Sequence, residues 1–194
     1  MKLIFASHNA HKAKEIQSIL PSWLEINTLS EIGFHEDIPE NEPTIEGNSQ
    51  FKARFVHQKF NCDCFADDTG LEILALNGRP GVHSARYAGE QRNSNDNMDK
   101  VLLELENQSD RSAQFKTVIT LFWKGKEYQF EGLIRGHIAH EKTGKDGFGY
   151  DPIFIPEGES RSFAEMSLSE KNTYSHRARA VEKLLDFFNT LPSH

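Results

Sequence analysis

The sequence predicts an α/β fold built on a mixed β-sheet. Stretches in which apolar residues alternate, as they do in strands, are interspersed with stretches in which apolar residues recur at helical spacing. The composition is that of an ordinary globular protein, with 37% hydrophobic and 26% charged residues among 194. Because the chain has the length of one domain and carries no fixed-period repeat, low-complexity tract or evident linker, we expect residues 1–194 to form a single domain.

The sequence pattern predicts a strand and two helices in the first third of the chain. Lys2–Ala6 indicates a short buried strand, and a helix follows it, with Asn9 as its N-cap and Pro21 closing it. Thr44 is expected to cap a second helix that extends to about Lys59. The apolar residues expected to face inward on this second helix are Phe51, Phe55 and Val56.

The remaining two thirds alternate between strand and helix patterns. Strands are predicted at Phe65–Ala66 and Leu71–Leu76, on either side of a polar segment, and a helix over Met98–Leu105 follows them. From residue 115 the pattern is that of a hairpin with its turn at Lys124–Lys126. Bulges or close backbone approaches are expected at Gly132 and Gly136. The apolar face of the last predicted helix consists of Ala178, Val181, Leu184, Leu185 and Phe188.

The charge balance and the cysteines exclude several classes of protein. The chain has 22 Lys and Arg against 29 Asp and Glu, and its net charge of −7 disfavours non-specific binding to nucleic acid. No apolar run approaches the roughly 20 residues of a membrane span, and Met1–Ala6 is too short for the apolar core of a signal peptide. Cys62 and Cys64 are too close in sequence for a structural disulfide, and with the histidines they form no recognisable metal-ligand spacing. We therefore expect a cytoplasmic protein.

Five short polar segments are candidates for a functional site, and the first lies between the first strand and the first helix. It consists of Ser7, His8, Asn9, Ala10, His11 and Lys12. The N–H groups and the dipole at a helix N-terminus attract anions, and Lys12, in the first turn, can reach a phosphate. An N-cap followed by an exposed lysine is also common in helices that bind nothing, and taken alone the segment is better explained in that way. It lacks the glycines of a P-loop or a dinucleotide-binding motif.

The second segment, Asp67–Gly70, directly follows an apolar strand. Two adjacent carboxylates repel one another unless a cation or lysines share the site, and hard oxygen ligands beside a phosphate suit Mg²⁺. Because side chains alternate along a strand, only one carboxylate needs to face a ligand; Asp68 is placed best to act as a base and Asp67 to support it. The alternative is an Asp-rich turn closed by Gly70 in a left-handed conformation.

The third segment extends from Glu40 to Lys52. Asn48 and Lys52 are four residues apart and therefore share one face of the second predicted helix, whose cap Glu40 precedes. An acid, an amide and an ammonium near one helix start suit a metal–phosphate site. They equally suit a solvated helix face, and spacing alone does not decide between the two.

The last two segments carry aromatic residues or hydrogen-bond donors. In Gly147–Pro152, two glycines flank Phe148, so that the backbone can approach a ligand and the ring can stack on a planar base. Core packing is the alternative for both aromatics, and it is favoured for Tyr150. Lys171 and the run Ser175–Arg179 offer donors to carbonyl oxygens or phosphates, although such a run is commonly an exposed helix face.

These segments carry a resemblance that extends from residue 7 to residue 184. The strings involved are Ser7–Lys12, Ala66–Glu72, Pro80–Gly89, Gly147–Phe154, and Phe163–Met166 continuing into Glu170–Lys171 and Ser175–Ala178. In this order and at this spacing they resemble the inosine triphosphate pyrophosphatase family, hydrolases of non-standard purine nucleoside triphosphates. The resemblance covers nearly the whole chain.

The resemblance implies an elongated, two-lobed α/β fold around a curved mixed sheet with flanking helices and a nucleotide cleft between the lobes, usually in a homodimer. It implies Mg²⁺-dependent hydrolysis of dITP, ITP and XTP to the monophosphate and pyrophosphate. Residues 7–12 would hold phosphates, Asp68 would accept the proton of the attacking water, and Glu40 and Asp68 would face the metal with Asp67 adjacent. In such a site Lys12 and Lys52, with Mg²⁺, would offset the charge of the triphosphate. Thr69 would touch the substrate. The base and sugar would be enclosed by Phe148, Gly149, Tyr150, Asp151, Lys171, His176 and Arg177.

The chain departs from the family pattern around residue 40. Asn41-Glu42 stands where the family commonly has Thr-Gly, and Gly47-Asn48-Ser49 stands where it has Glu-Asn-Ala. Glu42 and Glu46 are therefore alternatives to Glu40 as a metal ligand. The five segments as a whole also suit two other functions. One is a nucleotide-binding module without catalysis, and the other is a pyrophosphatase that acts on other modified nucleotides such as pyrimidine analogues.

Overall fold

The computed structural model describes residues 1–191, which form the predicted α/β fold with a mixed sheet and flanking helices. The strands are β1 (Lys2–Phe5), β2 (Glu25–Thr28), β3 (Cys64–Ile73), β4 (Pro80–Gly81), β5 (Ser112–Trp123), β6 (Lys126–Ile138) and β7 (Phe154–Pro156). The helices are α1 (Ala10–Gln17), α2 (Ile45–Phe60), α3 (Ser94–Glu104), α4 (Leu168–Lys171) and α5 (His176–Asn189). The strands follow the order β2-β1-β3-β5-β6-β7, and β4 pairs with β3. The sheet is mixed because β1 runs parallel to β2 and β3, whereas β4 and β7 are antiparallel to their neighbours.

By their internal contacts the residues divide into two compact units. The first comprises Met1–Asp68, Thr117–Gly132 and Arg177 to the last described residue, and the second comprises Thr69–Lys116 and Leu133–His176. Among the described residues, two buried apolar clusters lie in the first unit and one lies in the second. The expectation of a single domain over residues 1–194 stays a prediction. Within residues 1–191 there is no helix with both the length and the apolar character needed to cross a bilayer.

Side-chain caps fix the starts of α1 and α2, as predicted. The side-chain oxygen of Asn9 accepts the backbone N–H of Lys12 at 3.1 Å, and the hydroxyl of Thr44 accepts that of Gly47 at 3.0 Å. The helix α1 ends at Gln17, earlier than the predicted stop at Pro21.

The helix α2 turns a partly different face inward from the one predicted. Val56 is buried and Phe55 half-buried, but the prediction for Phe51 is wrong, because its side chain is exposed. The inward positions near the start of α2 belong to Asn48 and Lys52, which are buried. At 3.6 residues per turn, residue 51 lies about 60° around the helix from residue 48 and about 100° from residue 52, so it falls at the edge of the inward face and its ring is exposed.

The strand β3 corrects the prediction for the polar segment Asp67–Gly70. This segment lies inside one continuous strand, Cys64–Ile73, and does not form a turn between two strands. The second predicted strand, Leu71–Leu76, is also shorter than expected, since Leu74–Leu76 forms a 3₁₀ turn. The carboxylates of the segment are therefore held by a rigid element.

The predicted hairpin of β5 and β6 is confirmed. Lys124 and Gly125 both have positive φ angles, 49° and 75°, as a two-residue turn between twisted strands requires. The predicted close approach at Gly136 is also confirmed, since a side chain there would overlap the carbonyl oxygen of Ile155 on β7.

Candidate functional site

The site begins with Asp67 and Asp68 in the middle of β3. Asp67 is fully buried and Asp68 is 7% exposed. Because side chains alternate along a strand, the two carboxylates leave β3 on opposite sides, yet Lys12 and Lys52 each act on both of them. A buried carboxylate is costly unless it is paired, so the partners of each one define the site.

Two cations hold Asp67. The Nζ atom of Lys12 lies 3.0 Å from Oδ1, and Nε of Arg177 donates to Oδ2 at 3.3 Å. Arg177 also forms a buried ion pair with Glu15 of α1. Burial acts to raise the pKa of Asp67, but Lys12, Arg177 and Lys52 outweigh it and lower that pKa to about 2. Asp67 is therefore ionised at neutral pH and holds Lys12 in place.

Asp68 contacts the polar face of α2. The Nζ atom of Lys52 lies 3.3 Å from Oδ1 of Asp68 and 2.8 Å from Oε1 of Glu40, so one buried ammonium bridges two carboxylates. Asn48 donates from Nδ2 to Oδ2 of Asp68 at 3.4 Å. Burial raises the pKa of Asp68, and the opposing effects of Lys52 and Lys12 do not cancel this increase. A raised pKa makes Asp68 a better proton acceptor than an ordinary aspartate.

The carboxylates suit a hard cation held together with a phosphate. Within residues 1–191, no three or more His, Cys, Asp or Glu side chains are arranged to hold a metal ion. Glu40 and Asp68 nevertheless converge on one cation, the ammonium of Lys52. Mg²⁺ typically takes one or two carboxylates and completes its coordination with water and phosphate oxygens, so this pair fits it. That Asp67 is a further ligand stays a prediction.

The predicted phosphate segment forms the start of α1. The hydroxyl of Ser7 accepts the N–H of Asn9 at 3.1 Å, and the ring of His8 contacts the Ser30 hydroxyl at 3.2 Å and the Glu36 carbonyl at 3.0 Å. The other residues before Lys12, Ala10 and His11, are exposed. Lys12 joins this segment to β3 through its ion pair with Asp67.

In the second unit, a cluster forms around Asp151. Its Oδ2 atom accepts from the ammonium of Lys171 at 2.7 Å and from the N–H of Phe148 at 2.8 Å. The Lys171 ammonium also lies 5.2 Å from the centre of the Phe148 ring, within cation–π distance. At Gly147, φ is +77° and a side chain would overlap Asp151, so the loop requires glycine there. Three of the predicted base-binding residues are thus brought together.

Tyr150 and His176 are buried in the second unit. The Tyr150 hydroxyl donates to the carbonyl of Ser84 at 2.7 Å, and burial raises the pKa of Tyr150. The ring of His176 stacks on Phe115 with centres 4.6 Å apart. The burial of Tyr150 agrees with the preference for core packing. The two other predicted residues of this unit, Thr69 and Gly149, are half-buried.

Arg177 and Glu15 form a contact that the sequence did not predict. Arg177 is 1% exposed, and its guanidinium is held by Glu15 and Asp67 within the first unit. Glu15 lies between the buried residues Ala13 and Ile16 and is itself 5% exposed. A buried acid on the inward face of a helix needs a cationic partner. The position of Glu15 between two inward apolar residues is the feature of the sequence that indicates such a partner. A role for Arg177 in binding the base stays a prediction.

Comparisons with known proteins match this chain over almost its whole length. A sequence model of the Ham1 family matches residues 3–187. The dITP/XTP pyrophosphatase of Flavobacterium johnsoniae is 59% identical over 186 residues, which cover 96% of this chain and 97% of that protein. The dITP/XTP pyrophosphatase of Flavobacterium psychrophilum is 58% identical over 188 residues, covering 97% and 99%. A solved structure of a HAM1 protein from Coxiella burnetii matches with a TM-score of 0.90 at 38% identity, covering 98% of this chain and 100% of that one. These matches confirm the resemblance carried by the sequence strings: the chain belongs to the Ham1 family.

Proposed function

We propose that this chain is a Mg²⁺-dependent nucleoside triphosphate pyrophosphatase that hydrolyses dITP, ITP and XTP and so removes them from the nucleotide pool. The names of its relatives support this activity. The observation that carries the proposal is the pair of contacts Lys12–Asp67 and Lys52–Asp68, which bring two cations to two buried carboxylates in the first unit.

The cations account for binding of the polyphosphate. Lys12, Lys52 and the N-terminus of α1 offset the charge of a triphosphate, with Ser7–Lys12 as its contact segment. The carboxylates Asp67 and Asp68 keep the two ammonium groups oriented before the substrate arrives, so less ordering is needed on binding. Binding and orientation of this kind account for much of the catalysis of phosphoryl transfer.

Asp68 carries the proton chemistry. Its carboxylate accepts a proton from water, the water oxygen forms a bond to phosphorus, and the anhydride bond between the α- and β-phosphates breaks, with pyrophosphate as the product. Glu40 and Asp68 would hold Mg²⁺, with Asp67 adjacent. When bound, Mg²⁺ would neutralise phosphate charge and make a nearby water more acidic.

The cluster around Asp151 supports recognition of the base. A 6-oxo purine presents an acceptor where adenine presents an amino donor, so donors from Lys171, His176 or Arg177 would pair with the former only. In a dry pocket, a hydrogen-bonding mismatch of this kind can lower kcat/KM for the wrong base by about 10⁴-fold. Phe148 would stack on the base, and Gly149, Tyr150 and Thr69 would complete the contacts.

We also propose a cytoplasmic homodimer that binds no nucleic acid. Two free cysteines, Cys62 and Cys64, suit a reducing compartment, and the net charge of −7 disfavours binding to a polyanion. Sedimentation of the purified chain tests the dimer, and a monomer at micromolar concentration would contradict it.

The activity is tested by measuring pyrophosphate release from dITP, ITP and XTP with Mg²⁺, against dATP, dGTP and dUTP. We expect kcat/KM for the first three to exceed that for dATP by about 10²-fold or more, and chelation of Mg²⁺ to abolish release. No release from any nucleotide would favour a binding module without catalysis. Preference for dUTP would overturn the purine assignment, while dGTP tests how a second 6-oxo purine is rejected.

A further inference from the structure

We infer that Asn48 is a positioning residue that orients the Asp68 carboxylate and joins it to the segment carrying Glu40. The inference rests on the proposed function, in which Asp68 accepts a proton. Asn48 is 1% exposed and lies on the inward face of α2, so its amide is removed from water and depends on protein partners.

The contacts of Asn48 determine which way its amide faces. Its Oδ1 atom accepts the backbone N–H of Glu42 at 3.0 Å. A backbone N–H can only donate, so the side-chain oxygen must face Glu42 and the Nδ2 group must face Asp68. The Nδ2 atom lies 3.4 Å from Oδ2 of Asp68, a long contact that serves orientation more than strength.

Two different groups thus contact the two oxygens of Asp68. Lys52 contacts Oδ1 and Asn48 contacts Oδ2. An ammonium on a flexible stem fixes one oxygen but leaves the carboxylate plane free to turn about it. The amide of Asn48 restricts that rotation, so Asp68 presents the same lone pair to a water molecule each time.

The second contact of Asn48 reaches the segment that carries Glu40. Glu42 is two residues beyond Glu40, and its backbone is held against the start of α2 by Asn48. The absence of a side chain at Gly47 permits this packing, because a Cβ there would lie 2.9 Å from Cβ of Glu42. Asn48 therefore links the Asp68 carboxylate to the backbone two residues beyond Glu40, whose own carboxylate shares Lys52 with Asp68.

Two substitutions separate these contacts. Asn48→Asp keeps an acceptor for the Glu42 N–H but replaces the donor that faces Asp68, whereas Asn48→Ala removes both. We expect kcat for ITP to fall about 10- to 100-fold in both variants, with KM changed less than about threefold, because a misoriented catalytic group slows the reaction without weakening binding. Gln50→Ala, on the same helix with its side chain paired to Glu127, is the control and should keep the activity of the unmodified chain.

Crystal structures of the variants supply a readout that does not depend on activity. In Asn48→Asp we expect residues 40–44 to stay in place and the Asp68 carboxylate to turn away from position 48; in Asn48→Ala both should move. Unmodified kcat in Asn48→Asp, or an unmoved Asp68 in both structures, would overturn the inference. If the buried charge prevents folding, Asn48→Ser, too short to reach Asp68, should show the same loss of kcat. A chain without pyrophosphatase activity would refute the proposed function, while the structures would still decide the role of Asn48.

Discussion

Replacing Lys52 by methionine tests whether one ammonium holds the carboxylates of the site together. The Lys52 side chain is 8% exposed, and the side chains of its partners Asp68 and Glu40 are 10% and 22% exposed. Removing one member of a buried ion pair costs about 3–5 kcal/mol, and we expect about 3 kcal/mol because Glu40 keeps some contact with water. For a chain of 194 residues this loss lowers Tm by about 6–12 °C.

Calorimetry of Lys52→Met with and without Mg²⁺ is the assay. Without nucleotide, Mg²⁺ should raise the Tm of the variant more than that of the unmodified chain, because the ammonium no longer competes for Glu40 and Asp68. At 100 times its Kd a ligand adds about 2.7 kcal/mol, enough to offset most of the loss. Lys59→Met, on the same helix as Lys52, removes an exposed ion pair with Glu36 and should cost less than about 1 kcal/mol. Equal Tm values for the variant and the unmodified chain, or equal shifts with Mg²⁺, would refute the reasoning.

Three further predictions concern other parts of the structure. Because the pKa of Asp67 is lowered to about 2, its ionised form stabilises the fold above pH ~4, and about 2 kcal/mol of this stabilisation is lost as the pH falls to about 2. The free energy of unfolding in urea should therefore fall over this pH range in the unmodified chain, and Asp67→Asn should lack this contribution. Gly47→Ala should destabilise by about 1 kcal/mol through overlap with Glu42, and Glu42→Gly should suppress that loss in the double variant; strictly additive effects would contradict the contact. Phe148→Ala should raise KM for ITP about 5- to 100-fold, and an unchanged KM would remove its ring from the base site.

The sequence predicted those parts of the fold that depend on local physics. Asn9 and Thr44 cap their helices because their side-chain oxygens reach N–H groups three residues away, and such contacts are visible in a short string. The face of α2 was harder to predict. A rule that places apolar residues inward selects Phe51, but Asn48 and Lys52 occupy the inward positions because their partners lie there.

The polar segment of β3 shows why the site could be predicted only in part. The adjacent carboxylates of Asp67 and Asp68 indicated a cation, and both carboxylates have cationic partners. Their continuation as a strand was not predictable, because the groups that make two buried charges tolerable are far away in sequence: Lys12 lies 55 residues from Asp67, and Arg177 lies 110 residues from it. The position of the Glu15–Arg177 pair depends on the same long-range packing.

Turnover of ITP by Asp68→Asn is the decisive measurement. The amide has the shape of the carboxylate but cannot take up the proton of the attacking water. We predict that pyrophosphate release falls about 10²- to 10⁴-fold while ITP, followed by calorimetry, still binds. Release within a few-fold of that of the unmodified chain would show that another group accepts the proton.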